Sequence, residues 1–141
     1  MHCMTPVLLV AMLFGNAARA QNAAAPSDQT LVQHIITEQI DAFRRDDAMT
    51  AFSLAAPHIK AMFGDASHFL AMVRQAYPLV YRPRAFIFGS STISHGLLIQ
   101  KVQLMGENGD EALALYQMEK EADGSWHIAG CSLIESKSQE I

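Results

Sequence analysis

A cluster of arginines and tyrosines is the part of this sequence whose residue types best fit ligand chemistry. Three arginines and two tyrosines lie within eleven residues, in a chain of net charge −4: Arg74, Tyr77, Tyr81, Arg82 and Arg84. A guanidinium group binds carboxylate or phosphate through a planar fork, and a tyrosine adds an apolar face with one hydrogen-bond donor. The cluster therefore predicts a binding site for a small acidic or apolar ligand. A structural interpretation stays open, in which the arginines pair with nearby acids and the tyrosines pack.

A sixth candidate ligand-binding residue, Tyr116, lies in a segment with the alternation of a β-strand. An isomerase of the carboxylate-and-phenol type needs a base and a tyrosine-like donor around one apolar pocket. Glu119 is the carboxylate available, but residues 116 and 119 project from opposite faces of a strand. Catalytic residues are therefore left unassigned. We favour a non-enzymatic binding domain, with a small isomerase or hydratase as the alternative.

After residue 20, the five histidines and the one cysteine form no metal or nucleophile motif. No two of the histidines have the i, i+4 spacing of a helical metal site or the i, i+2 spacing of a strand site: His34, His58, His68, His95 and His127. His127 and Cys131 would lie about 13 Å apart on one strand, too far for a nucleophile–base pair. No metal and no cofactor is predicted.

The N-terminus has the pattern of a signal peptide. The apolar run Val7–Phe14 is too short to span a bilayer, which takes about 20 residues. Ala18-Arg19-Ala20 follows it with the small-x-small order of a cleavage site. We predict cleavage after Ala20, a periplasmic or secreted location, and no stable membrane insertion afterwards. An uncleaved anchor is the alternative interpretation.

Cleavage at this position changes the charge and the cysteine content of the chain. Loss of residues 1–20 removes one basic residue and no acidic one, so the net charge becomes −5. An acidic chain lacks the basic footprint of a general nucleic-acid binder. Cys131 is then the one remaining cysteine, so no internal disulfide is possible, and we expect its thiol to be buried.

The elements that must position these residues are helices followed by strands. Residues 21–27 read as a disordered leader, and a helical period of apolar residues begins after Ser27 or Asp28. Asp46, Asp47 and Asp65 are interpreted as helix caps. The predicted helices are about 28–45, 47–55, 57–62 and 65–77, and the predicted strands are 84–93, 97–105, 111–121 and 126–135.

Two Gly-containing dipeptides join the later strands. Asn108-Gly109 and Asp123-Gly124 predict two-residue hairpin turns in which both residues have positive φ. The expected fold class is α+β, with N-terminal helices packed on a curved four-stranded antiparallel meander, cone-like in shape. One domain covers 28–135, and a polar tail covers 136–141.

Four sequence segments carry a resemblance to known families: Gln39–Asp47, Phe63–Asp65, Tyr77–Arg84 and Asp123–Cys131. The order of elements resembles the nuclear-transport-factor-2-like cone fold, shared with ketosteroid isomerase. The chain is also similar to the bacterial family called domain of unknown function 4864. These resemblances imply a fold, and they imply no activity.

The strands are apolar on both faces, so both faces of the sheet need a cover. In the fourth strand we place Trp126, Ile128 and Ile134 on one face, and Ala129, Cys131 and Leu133 on the other. One sheet face would meet the helices, and the other would line a pocket or meet a partner. The partner is then a small apolar or acidic ligand, a protein, or a second copy of the chain in a homodimer.

Overall fold

The computed structural model of this protein describes residues 22–136, and the predicted signal peptide lies outside them. Five helices precede four strands, so the predicted α+β class is confirmed. The helices are α1 Pro26–Arg44, α2 Ala48–Ser53, α3 Pro57–Phe63, α4 Ala66–Ala76 and α5 Pro78–Tyr81. The strands are β1 Ala85–Ser94, β2 Leu97–Met105, β3 Glu111–Lys120 and β4 Trp126–Ser136. None of the helices in residues 22–136 has the length and apolarity needed to cross a membrane.

The first described residues differ from the expected disordered leader. The N–H of Ile93 donates to the carbonyl of Asn22 at 2.9 Å, and Ala23 forms an antiparallel bridge with Thr92. Helix α1 begins at Pro26, without a side-chain cap from Ser27 or Asp28. Proline suits the first helical turn because its missing N–H has no partner there. The segment is ordered because the edge of β1 offers unpaired backbone groups.

Two of the three predicted aspartate caps are confirmed. The side chain of Asp47 accepts from the N–H of Thr50 at 3.1 Å, and that of Asp65 accepts from the N–H of His68 at 2.9 Å. Asp46 is not a cap, and the prediction for it is wrong. Its φ is +53°, a left-handed conformation that Asp tolerates better than most residues, and its carboxylate points to partners far along the chain.

The sheet is an antiparallel meander in the order β1-β2-β3-β4, as predicted. The two predicted two-residue turns are wrong in type, because only the glycines, Gly109 and Gly124, have positive φ there. Their loops, 106–110 and 121–125, are longer and close with backbone hydrogen bonds of 2.8 Å. The turn with two positive φ angles is instead His95-Gly96, at +51° and +78°. It joins β1 to β2.

A bulge in β4 decides which residues face the helices. The register shifts between Gln117 and Met118, so that Met118 pairs with Ile128 and Tyr116 pairs with Cys131. The extra residue on β4 puts Ile128 and Cys131 on the same face, although they are three residues apart. The predicted division of β4, with these two residues on opposite faces, is wrong for this reason.

The helices cover the inner face of the sheet and leave the outer face open. Alternate residues of β2 and β3 are buried on the inner face: Leu98, Gln100, Val102, Leu104, Ala112, Ala114, Tyr116 and Met118. On the outer face Ile87 and Ile134 are exposed, and Leu113 and Leu115 are half-buried. The edge of β4 is covered in part, because the N–H of Ile128 donates to Leu54 and its carbonyl accepts from Ala56, each at 2.8 Å.

Candidate functional site

An apolar pocket of about 270 Å³ lies between the helices and the inner face of β3 and β4. We expected either a pocket or a partner on the face away from the helices, and the structure places a pocket beneath the helices. The bulged segment of β4 lies in the wall of this space, where Ile128, Gly130 and Cys131 line it. The described lining residues are Gln39, Phe43, Ala55, Ile59, Met62, Phe63, Phe69, Met72, Val73, Tyr77, Val80, Tyr116, Ile128, Gly130 and Cys131.

The pocket wall is formed mostly by aromatic and aliphatic side chains, and four of the described lining residues carry an amide, a hydroxyl or a thiol. Those residues are Gln39, Tyr77, Tyr116 and Cys131. No Asp, Glu, Lys, Arg or His is found among the described lining residues. An ion moved into such a wall would lose its hydration without gaining a counter-charge. The wall therefore favours a neutral, largely apolar occupant.

The hydroxyl of Tyr116 is the most unusual polar group of the pocket. Tyr116 is completely buried, and its hydroxyl has no hydrogen-bond partner among the described residues. An unpaired buried polar group costs about 1–3 kcal/mol. Burial, with a smaller effect of nearby Cys131, raises the pKa of Tyr116 well above its usual value. The group is therefore a neutral hydrogen-bond donor at any physiological pH.

Gln39 and Cys131 are neutral as well. The amide of Gln39 is held by a hydrogen bond, and the thiol of Cys131 is protonated. The side-chain nitrogen of Gln39 donates to the carbonyl of Ala51 at 3.1 Å, which links α1 to α2 and fixes the amide against the pocket. Burial raises the pKa of the Cys131 thiol to about 12. A protonated thiol is a poor nucleophile, so Cys131 acts as a small apolar part of the wall.

Two of the six predicted ligand-binding residues line this pocket, Tyr77 and Tyr116. The structure brings Arg74, Tyr81 and Arg82 together elsewhere, on the surface around Asp46. Sequence reasoning missed Gln39 and the aromatic wall, because helical apolar residues read as ordinary core. Sequence reasoning also missed Cys131 as a lining residue. The bulge in β4 turns Cys131 to the inner face, and no sequence pattern marks where that bulge lies.

The surface group formed by Asp46, Arg74, Tyr81 and Arg82, which we call the Asp46 cluster, is internally paired. Arg82 lies 2.8 Å and Arg74 lies 3.6 Å from the carboxylate of Asp46, which also accepts from the hydroxyl of Tyr81. Both guanidinium groups lie near the ring of Tyr81, at 4.8 and 5.4 Å from its centre. These contacts match the structural interpretation of the arginines, in which local acids occupy them.

Arg84 stands apart from the Asp46 cluster. Its backbone N–H donates to Met105 at 2.8 Å, and its exposed side chain forms no salt bridge with a residue of the described part of the chain. A second, more polar depression of about 360 Å³ includes Arg82, but Glu107 and Asp110 also line it. Two carboxylates beside one guanidinium do not make an anion site. The predicted acidic ligand therefore has no support in the geometry of these arginines.

Replacing Asp46 by Asn is expected to lower the melting temperature at neutral pH, with an effect that shrinks in acid. The hydrogen bond from Tyr81, and then the charges of Arg82 and Arg74, lower the pKa of Asp46, against an opposing effect of desolvation. A lowered folded-state pKa adds stability above the unfolded pKa of about 4, and this stability is lost as pH falls through the folded pKa. Asparagine tolerates the positive φ, so the backbone is kept.

Thermal melts from pH 7 to pH 2 of the wild type and Asp46→Asn check this expectation. The gap between the two melting temperatures should close below about pH 4. Asp41→Asn is the matched control, since its carboxylate makes only a 3.4 Å contact with Arg44 on the same helix. A gap of constant size across the pH range would show that the charge of Asp46 does not stabilise the fold.

The fold and the pocket together define a class: an α+β domain in which helices enclose a small neutral pocket against an antiparallel sheet. Among residues 22–136 no group of three or more His, Cys, Asp or Glu is placed to hold a metal ion. The chain belongs to the family described as Domain of unknown function (DUF4864), whose sequence model matches residues 17–141. The resemblance to that family is thereby confirmed.

Comparisons beyond this family add no relative. No curated protein and no solved structure matches the chain. The likeness to the nuclear-transport-factor-2-like cone stays a prediction.

Proposed function

We propose that this protein binds a small, neutral, apolar molecule in the pocket between its helices and the inner face of β3 and β4. The observation that carries the proposal is the neutral wall: fifteen described residues line about 270 Å³, and none of them carries a charge at neutral pH. An engineered apolar cavity of about 150 Å³ binds benzene, so this pocket has room for a molecule larger than one aromatic ring.

The residues at the pocket opening also support ligand entry. Helix α3 has no buried residue, and Met62 at its end is 69% exposed although it lines the pocket. Met72 from α4 lies at the same pocket and is half-buried. Methionine is flexible and adapts to ligands of different shape, which makes it common at binding surfaces. These side chains form an opening that can yield without unfolding the core.

An enzymatic role in this pocket receives less support. A proton-transfer reaction needs a base within hydrogen-bond reach of the substrate. Glu119 lies on the outer face and contacts His58 at 3.7 Å, on the opposite side of β3 from Tyr116. None of the described lining residues supplies a carboxylate or an imidazole. Binding without a reaction is the function that this chemistry favours.

We also propose that the ligand is bound after export. Val7–Phe14 and Ala18-Arg19-Ala20 carry this proposal, and the family match begins at residue 17, after the apolar run. Protein recovered from the periplasm is the sample to use for the binding experiment, and its N-terminus should be Gln21. Native mass spectrometry of that sample shows whether a small molecule is retained.

Binding of N-phenyl-1-naphthylamine, a neutral apolar fluorophore, tests the function directly. We expect fluorescence enhancement with the wild type, and an affinity lower by about tenfold or more in Cys131→Phe, which puts a ring into the pocket. The matched control is Ser132→Phe. Ser132 is exposed and pairs with Leu115 on the outer face, so the same new side chain should leave binding unchanged.

The thiol of Cys131 supplies an independent measure of occupancy. Burial raises the pKa of this thiol to about 12, so little thiolate forms at neutral pH and N-ethylmaleimide should react slowly with native protein. The fluorophore should slow this reaction further, because a molecule bound in the pocket would cover the thiol of Cys131. No fluorescence enhancement, or equal binding by Cys131→Phe and the wild type, would contradict the proposed function.

A further inference from the structure

We propose that the ligand of this pocket is a neutral, largely hydrocarbon molecule that carries one carbonyl or ether oxygen, and that this oxygen accepts a hydrogen bond from the hydroxyl of Tyr116. The inference rests on the proposed function and adds the chemical class of the ligand to it. Two features of the pocket define this class: the hydroxyl of Tyr116 as a hydrogen-bond donor, and a wall without charged side chains.

The donor is the unpaired hydroxyl of Tyr116. The residue is fully buried, lines the pocket, and has no hydrogen-bond partner for its hydroxyl among the described residues. Four other described residues also have a buried polar atom without a hydrogen-bond partner, and none of them lines the pocket: Ser91, Glu121, Trp126 and His127. A buried hydroxyl gains most from an acceptor that arrives with the ligand. Tyr116 is therefore the group that orients the ligand.

The neighbours of Tyr116 do not compete for this hydrogen bond. Cys131, its partner across the strands, carries a protonated thiol, which is only a weak acceptor. None of the described residues, Gln39 included, places an acceptor within hydrogen-bond distance of the Tyr116 hydroxyl. A ligand oxygen near Tyr116 can therefore accept a hydrogen bond from its hydroxyl, while apolar side chains surround the rest of the ligand.

The acceptor must be neutral because the wall offers no charge to balance an ion. A carboxylate in this pocket would be desolvated with one hydroxyl as its main donor, which does not replace the lost hydration. The positive charges of Arg74 and Arg82 are held at Asp46 and do not line the pocket. A ketone or an ether satisfies the hydroxyl without this cost.

A pair of ligands of nearly equal shape tests the inference: 1-indanone has a carbonyl oxygen, and indane lacks it. Their affinities are measured by displacement of N-phenyl-1-naphthylamine from the wild type, Tyr116→Phe and Tyr81→Phe. The affinity ratio of 1-indanone to indane should fall about three- to tenfold in Tyr116→Phe, the usual value of one neutral hydrogen bond. Tyr81→Phe, which removes a tyrosine hydroxyl that donates to Asp46 outside the pocket, should keep the wild-type ratio.

The affinity for indane separates a lost hydrogen bond from a damaged pocket. Indane should bind Tyr116→Phe as it binds the wild type. A second measurement needs no variant: the infrared carbonyl stretch of 1-indanone bound to the wild type should lie at lower wavenumber than in a hydrocarbon solvent. An unchanged affinity ratio in Tyr116→Phe, or an unshifted carbonyl stretch, overturns the inference and leaves the proposed function standing if the fluorophore binds. Failure of the fluorophore itself to bind the wild type refutes the proposed function.

Discussion

Phe69→Ala is expected to lower the free energy of unfolding by about 3–5 kcal/mol, the range measured for large-to-small changes at buried aromatic sites. Phe69 lies at the centre of four packed rings, with ring centres 5.5 Å from Phe52, 5.7 Å from Phe63 and 6.0 Å from Phe43. Its exposure is 6%. Each aromatic pair contributes beyond the burial of its area, so the loss of one ring affects three contacts.

The position of Phe69 beside the pocket makes the loss harder to repair. Its ring forms part of the pocket wall, so truncation joins a new cavity to an existing one. The cost of a cavity grows with the volume that neighbours cannot fill. We therefore expect the upper half of the range, which is a large part of the about 5–15 kcal/mol that stabilises a domain.

Urea denaturation followed by far-ultraviolet circular dichroism measures this change. Ile87→Ala is the control, because Ile87 is 61% exposed on the outer face and its truncation should alter stability by about 0.5 kcal/mol or less. A loss below about 1 kcal/mol for Phe69→Ala would show that α4 does not pack as described. Phe69→Leu should fall between the wild type and Phe69→Ala.

Gln100→Leu is expected to lower the free energy of unfolding by about 1–3 kcal/mol although it replaces a polar core residue with an apolar one. The side-chain nitrogen of Gln100 donates to the carbonyls of Gly89 and Lys101, both at 2.9 Å. Gln100 is completely buried, and its oxygen accepts from Gln33 on α1 at 3.4 Å. Leucine of similar size would leave these groups without partners.

The contacts of Gln100 matter because they hold an irregular part of β1. The register of β1 and β2 shifts between Phe88 and Ser91, so the carbonyl of Gly89 falls outside the regular ladder. The amide of Gln100 satisfies it in place of a backbone N–H. Loss of the amide should therefore loosen the bulge as well as lower global stability.

Gln103→Leu is the matched control, the same substitution on the same strand at a half-buried outer-face position. It should change stability by about 0.5 kcal/mol or less. Amide hydrogen exchange over 89–91 gives the local readout, with faster exchange expected in Gln100→Leu alone. Equal stability of the two variants would mean that water replaces the amide of Gln100 without cost.

Features that depend on near neighbours in the chain were predictable from the sequence. Asp47 and Asp65 cap helices because each side chain reaches a backbone N–H three residues away. The change from a helical period to strand alternation after Tyr81 predicted that the helices precede the strands. Four helices were predicted where the described residues form five, because α5 is a single turn of four residues. The family resemblance rested on such local segments, and the match over residues 17–141 confirms it.

The candidate site was only partly predictable, because its residues come from distant segments. Tyr77 and Tyr116 were identified by type, but Arg74 and Arg82 were assigned to ligand binding and instead pair with Asp46, up to 36 residues away. A sequence shows that such charges exist and does not show which of them meet. The choice between a ligand and an internal acid is made when α1, α4 and α5 pack together.

The amino-acid sequence by itself determined the α+β class and the order of the elements. Only the tertiary structure decided where the pocket lies and which groups reach it. One extra residue in β4, opposite the step from Gln117 to Met118, turns Cys131 to the face of Tyr116. Because side chains alternate along a strand, a single added residue exchanges the two faces beyond it, and no local pattern in the sequence records that exchange.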